Sequence, residues 1–165
     1  APELVIIDGP GEVISASARD IILRGVTLQN SSATDPALAV GDLACVALDQ
    51  VRFGAAGGHI RQEGGSVSLA GRCTIAGDAS YHLHLEAGAR FDGNGQEITL
   101  ENTPDFSAAY IICDGLSHAI AQDQTFVGSA TGQSYTVSAN GVIVAGATTL
   151  PGDVAGSAQT GGILV

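Results

Sequence analysis

Tryptophan, methionine and lysine are missing from this 165-residue sequence, and aromatic residues make up only 4% of it. With no bulky side chains to spare, an interior must be filled by Val, Ile, Leu and Ala. That suits a narrow coil lined with stacked aliphatic residues and not a cavity wrapped around a large cofactor, so we expect no cofactor. Positive charge is as scarce: 17 acids face six arginines, the net charge is −11, and Arg90 is the last base. Phosphate binding needs clustered Lys and Arg, so neither nucleic acid nor an anionic membrane is an expected partner. No apolar run reaches the length of a membrane span, and no basic-then-apolar leader opens the chain. Because Ala1 stands in place of an initiating methionine, we expect a processed chain or a piece of a longer one. Convincing helical periodicity with caps is also absent.

A short apolar-polar strand ending in a turn recurs instead. It is seen in Val5-Ile6-Ile7-Asp8-Gly9, Ile21-Ile22-Leu23-Arg24-Gly25, Val46-Ala47-Leu48-Asp49-Gln50, Val67-Ser68-Leu69-Ala70-Gly71, Ala89-Arg90-Phe91-Asp92-Gly93 and Ile111-Ile112-Cys113-Asp114-Gly115. Taking Ile7, Leu23, Leu48, Leu69, Phe91 and Cys113 as the reference column, the intervals are 16, 25, 21, 22 and 22 residues. Strands this short cannot bury a face alone, and a period of this length is the signature of a stacked solenoid. The pattern predicts an all-β, right-handed parallel β-helix of five to six rungs over residues 3–127, with those six side chains stacked inward. The 23 glycines have no three-residue period, which excludes collagen, and they fall at turns.

Each repeat carries a second strand, as at Gly25–Leu28, Gln50–Phe53, Arg72–Ile75 and Glu97–Leu100, and a third at Gly58–Arg61 and His82–Leu85. After Val127 the pattern changes. Ser134–Ser138 and Val142–Val144 read as a hairpin around Asn140-Gly141, a favoured tight-turn pair. Residues 128–165 are therefore expected to form a separate hairpin and a glycine-rich capping or assembly segment. Its apolar tip, Ile163-Leu164-Val165, is the expected assembly contact. The three cysteines fall at different places in the repeat and read as reduced core residues made in a reducing compartment.

The run Arg19–Asn30, with Ile21-Ile22-Leu23-Arg24-Gly25-Val26-Thr27-Leu28 at its centre, resembles a rung of the pectate-lyase-like right-handed β-helix superfamily. The ending Gly141-Val142-Ile143, Leu150-Pro151-Gly152, Ala155-Gly156-Ser157 and Thr160-Gly161-Gly162 is similar to the tails of phage virion proteins of the fibre, spike and head-decoration types. This resemblance implies a homotrimer that contacts other virion proteins of capsid or tail, or host-surface glycan. It places the protein in a virion assembled in the bacterial cytoplasm, with particle stabilisation or host adhesion as its function. Some spikes of this kind cut polysaccharide, so a polysaccharide-degrading β-helix lyase or hydrolase, or a fragment of one, is the alternative.

Glycoside hydrolysis needs paired carboxylates, and lyases of this fold need a basic residue beside an acidic calcium cluster. Asp92 and Asp114 fall in one column of the repeat and would stack about 5 Å apart. Asp before Gly is also what a turn requires, which is the preferred reading. No arginine follows Arg90 to serve Asp114, and few aromatic rings are available for sugar stacking. We therefore expect no enzyme and assign no catalytic residue. The sharpest local motif is His82-Leu83-His84-Leu85-Glu86. By strand alternation, His82, His84 and Glu86 share a face. Two imidazoles and a carboxylate suit a transition metal, as in phage spikes whose His-x-His pairs hold an axial iron; the other reading is a solvated outer face. His59, Arg61 and Glu63 form a similar row, a candidate ligand or partner contact or else a plain polar strand face.

Overall fold

The structure is a computed structural model of the chain and describes residues 5–17 and 19–165. The chain winds through seven successive turns, each laid on the last. The first holds β1 (Val5–Gly9), β2 (Ile14–Ala16) and β3 (Ile21–Arg24), and the second β4 (Val26–Asn30), β5 (Pro36–Val40) and β6 (Cys45–Asp49). The third holds β7 (Arg52–Phe53), β8 (Gly58–Glu63) and β9 (Ser66–Leu69), and the fourth β10 (Cys73–Ile75), β11 (Ala79–Glu86) and β12 (Arg90–Asp92). The fifth holds β13 (Glu97–Leu100), β14 (Asp105–Cys113) and β15 (His118–Ile120). The sixth has β16 (Thr125–Val127), a short β17 (Thr131–Gly132), β18 (Tyr135–Val137) and β19 (Val142–Val144), and the last β20 (Ser157–Ala158) and β21 (Ile163–Leu164).

As far as β16, every third strand joins the same sheet. Sheet one runs β1-β4-β7-β10-β13-β16, sheet two β2-β5-β8-β11-β14-β18-β20 with β17 beside β14, and sheet three β3-β6-β9-β12-β15-β19-β21. All of the pairings are parallel, and no helix occurs among the described residues, so the protein is a parallel β-solenoid. A turn takes as few as 21 residues (Ile143 over Leu164) and as many as 28 (Leu83 over Ile111). Extra length goes into corner loops and, between β11 and β14, into one irregularity of the ladder. The second and third strands expected in each repeat are those of sheets one and two.

Inward side chains stack like over like. Ile7, Leu28, Phe53, Ile75 and Leu100 line sheet one. Leu38, Ile60, Leu83 and Ile111 line sheet two, and Val46, Val67, Phe91, Ala119 and Ile143 line sheet three. Nearly all of them are buried in one continuous core. Each fully buried aliphatic side chain stabilises the fold by roughly 1.5–3 kcal/mol. Corners need left-handed backbone. At Gly128, with φ of +110°, a Cβ would run into the Leu100 carbonyl of the turn below, so only glycine fits.

Three expectations need correction. The six reference residues point inward, but they do not form one column. Ile7 lies over Leu28 in sheet one, Leu23, Leu48 and Leu69 stack in sheet three, Phe91 lies over Val67, and Cys113 lies over Leu85 in sheet two. All turns are of similar length, so a search for "apolar, then turn" catches corners of different sheets at similar intervals. The hairpin at Asn140-Gly141 is not formed either. β18 and β19 pair in parallel with β14 and β15, and the Asn-Gly pair turns a corner between two sheets. Stacking therefore crosses residue 127 and continues to Leu164, which adds a turn beyond the five to six expected. The expected start at residue 3 lies outside the described residues. Finally, Cys73 and Cys113 are buried and unpaired, but Cys45 is exposed. They sit in three different sheets.

Leu83→Ala, at a fully buried position of sheet two, is expected to cost about 2–5 kcal/mol in equilibrium denaturation. Ile22→Ala, 69% exposed on the outside of sheet three, should change stability by no more than about 0.5 kcal/mol. Comparable losses from the two substitutions would contradict this inward and outward assignment.

Candidate functional site

Adjacent strands β8 and β11 carry both histidine motifs, and the ladder sets His84 over Arg61 and Glu86 over Glu63. Simple alternation fails at their N-terminal ends. His59 and Ile60 are both buried, as are His82 and Leu83, Ala37 and Leu38, and Tyr110 and Ile111. In these four turns two consecutive residues face inward. The ladder is also irregular between Ala79 and Tyr81, and the Tyr81 ring lies against Gly58, where a Cβ would collide with it.

His59 and His82 thus meet inside the coil, with Nδ1 atoms 3.2 Å apart. His59 Nε2–H donates to the Gly54 carbonyl at 3.0 Å, which leaves its Nδ1 bare to accept from His82 Nδ1–H. Tyr110 stacks on His82 (ring centroids 5.2 Å, 9° between planes), and Phe53 packs against both imidazoles at 5.4 and 5.3 Å. Burial in this apolar setting disfavours the imidazolium. It lowers the His59 pKa to about 4, against weaker support from the Gly54 carbonyl and Asp78. His82 is held well below its ordinary value by burial and by His59.

On the outside of the same strands the charges are arranged coil by coil. Arg61 bridges its own strand to the next: its NH2 group donates to Glu63 Oε1 at 2.8 Å and its Nε to Glu86 Oε2 at 3.0 Å. One coil further, His84 occupies the equivalent position between Glu86 and Asp114. Its Nε2 lies 3.6 Å from Glu86 Oε1 and 3.7 Å from Asp114 Oδ2, and one ligand atom from each of the three lies within 4.8 Å of the others. The Tyr81 ring packs edge-on against His84 at 5.2 Å.

The expected trio His82, His84 and Glu86 is therefore split. His84 and Glu86 stand together outside, Asp114 takes the third place, and His82 is enclosed in the core. The row His59, Arg61 and Glu63 divides in the same way, since Arg61 and Glu63 pair at the surface and His59 is buried. Asp92 and Asp114 do not stack. Asp92 lies between Ser68 and Ile120 in sheet three, where its Oδ1 accepts the Asn94 amide at 3.1 Å in the turn role preferred from its sequence. Ile163, Leu164 and Val165 are 50%, 38% and 60% exposed on the final turn. The inward pair His59–His82 was missed, although a signal for it existed. Aligning Ala37-Leu38, His59-Ile60, His82-Leu83 and Tyr110-Ile111 puts the histidines in a column with Ala and Tyr, which are residues of an interior.

Searches among family models, curated proteins and solved structures find no match for the chain.

Both buried histidines stay neutral in the folded chain but take up protons near 6.5 once unfolded. Folded pKa values below the unfolded ones mean that the unfolded state binds more protons as pH falls. Stability is therefore lost from about pH 6.5 down to about pH 4 for His59. The slope should be on the order of 1.4 kcal/mol per pH unit for each histidine. Urea midpoints at pH 7 and pH 5 measure it. His82→Phe should remove roughly half of that loss; the full slope persisting in this variant would contradict burial of a neutral pair.

Proposed function

We propose that this chain is a non-catalytic structural module: a stiff solenoid that associates with further copies through the outer face of sheet three. The phage-type virion of fibre, spike or decoration kind, suggested by its resemblances, is the setting. The observation that carries this reading is a strip of branched apolar side chains. Val142 and Val144 flank the buried Ile143, so they point outward; Ile120 and Ile163 extend their rows, and Val165 follows beside Val144. No charged side chain interrupts these five positions, although the chain as a whole carries −11. An apolar strip on a highly acidic molecule, with His118 as the one titratable neighbour in the Val142 row, is a natural contact between like copies, because no carboxylate on it repels its counterpart.

The rest of the architecture supports a mechanical role. Parallel ladders run through the turns on three sides of one continuous core, so bending the rod requires several ladders to yield together. The carboxylate pair on which a hydrolase reading would have rested is not assembled. Closed assemblies are the usual result of such self-contacts, and three copies is the number that the resemblance implies.

Val144→Arg and Ile163→Arg, singly and together, test the reading. We expect the parent chain to sediment as an oligomer and the double variant as a monomer, with the β circular dichroism spectrum unchanged. A parent that is monomeric at high micromolar concentration, or an oligomer indifferent to both arginines, would remove the basis for the proposal. Incubation with capsule-type or pectin-type polymers should release no new reducing ends and no unsaturated product.

A further inference from the structure

The row of side chains on the outside of β8, β11 and the end of β14 points to a binding site for one divalent transition ion, and we propose that His84, Glu86 and Asp114 are its ligands. Zinc is the ion that fits best. This goes beyond the assembly reading and does not depend on it.

The first argument is spacing. Ligand atoms about 2.1 Å from a tetrahedral ion lie about 3.4 Å from each other. The His84 Nε2 distances of 3.6 Å and 3.7 Å to the two carboxylate oxygens are close to that edge length and too long for good hydrogen bonds. A small inward shift of three side chains, each 21–32% exposed, would close the set around an ion and leave one position for water.

The second argument is charge. Parallel stacking sets Glu63, Glu86 and Asp114 one above another on successive coils, a column of three negative charges. Arg61 neutralises the lower junction with two short contacts. At the upper junction the equivalent residue is His84, an imidazole in place of the guanidinium. An imidazole that ligates a metal is neutral, so three carboxylates and one guanidinium leave −2 for a divalent ion to cancel. Arg61 also orients the site: by holding Glu86 Oε2 at 3.0 Å it turns Oε1 toward His84. A nitrogen with two carboxylate oxygens favours Zn²⁺ and its neighbours over Ca²⁺ or Mg²⁺, which prefer all-oxygen shells.

Zinc titration of the full chain tests the site. It should use a Cys45→Ser background, because Cys45 is an exposed thiol that could bind zinc by itself. We expect one equivalent of zinc to bind near neutral pH, a melting temperature that rises with zinc concentration, and reversal by EDTA. His84→Gln and Asp114→Asn should each weaken binding by at least roughly tenfold and abolish the thermal shift. Asp123→Asn, on a distant corner, should leave both unchanged. The two site variants change partly exposed positions on different coils of the site, so if one fails to fold the other decides. No binding at millimolar zinc, or binding equally tight in the folded site variants, would overturn the proposal.

Discussion

Parallel hydrogen bonding between successive coils is the constraint from which everything else in this molecule follows. Once Leu83 is bonded beside Ile60 and Ile111, every neighbouring residue is placed against its counterpart a turn away. Inside, this rewards columns of similar aliphatic residues, because each fills the space directly over the one below. Outside, it brings like charges together, because an acid at the same point of consecutive turns lies opposite another acid. The column Glu63, Glu86 and Asp114 is the clearest case, and its cross-strand partners Arg61 and His84 answer that constraint. The salt bridges Arg24–Asp49 and Arg72–Glu97, at 2.7 Å and 2.8 Å, join neighbouring coils in the same way.

The interior shows where a chain with few aromatic residues places them. The positions before Ile60, Leu83 and Ile111 face inward and carry rings. They are His59, His82 and Tyr110, with Phe53, Phe106 and Phe126 around them. Four of the chain's seven aromatic rings and two of its four histidines thus gather in one cluster. The histidines satisfy each other and the Gly54 carbonyl while remaining neutral, which makes this part of the core sensitive to acid and the purely aliphatic columns insensitive.

Much of the architecture was legible in the sequence, because solenoid periodicity is long-range and survives irregular loops. The strands of sheets one and two were located from alternation alone, and the absence of helix followed from absent caps and period. Register was harder. Leu69 and Phe91 are 22 residues apart, but this turn takes 24 residues, and the two extra set Phe91 over Val67. An interval near the mean cannot distinguish those two pairings. The site was half legible: His84 and Glu86 obey alternation and stand together, whereas His82 lies where alternation breaks. Asp114 could not have been added from the motif, since it enters from the next coil and only the ladder between β11 and β14 brings it there. The tight-turn pair Asn140-Gly141 misled for a related reason. Left-handed backbone at Asn140, with φ of 62°, serves a solenoid corner as well as a hairpin.

The central claim is that one parallel stack continues without a break from the early turns through β18 and β19. Amide hydrogen exchange of the whole chain at neutral pH tests it most directly. In an unbroken stack, the bonded amides of Thr136, Val142 and Val144 exchange as slowly as those of Leu83, Leu85 and Phe91. Exchange beyond Val127 that is orders of magnitude faster than in the fourth and fifth turns would contradict it, because a separate hairpin opens independently of the coil.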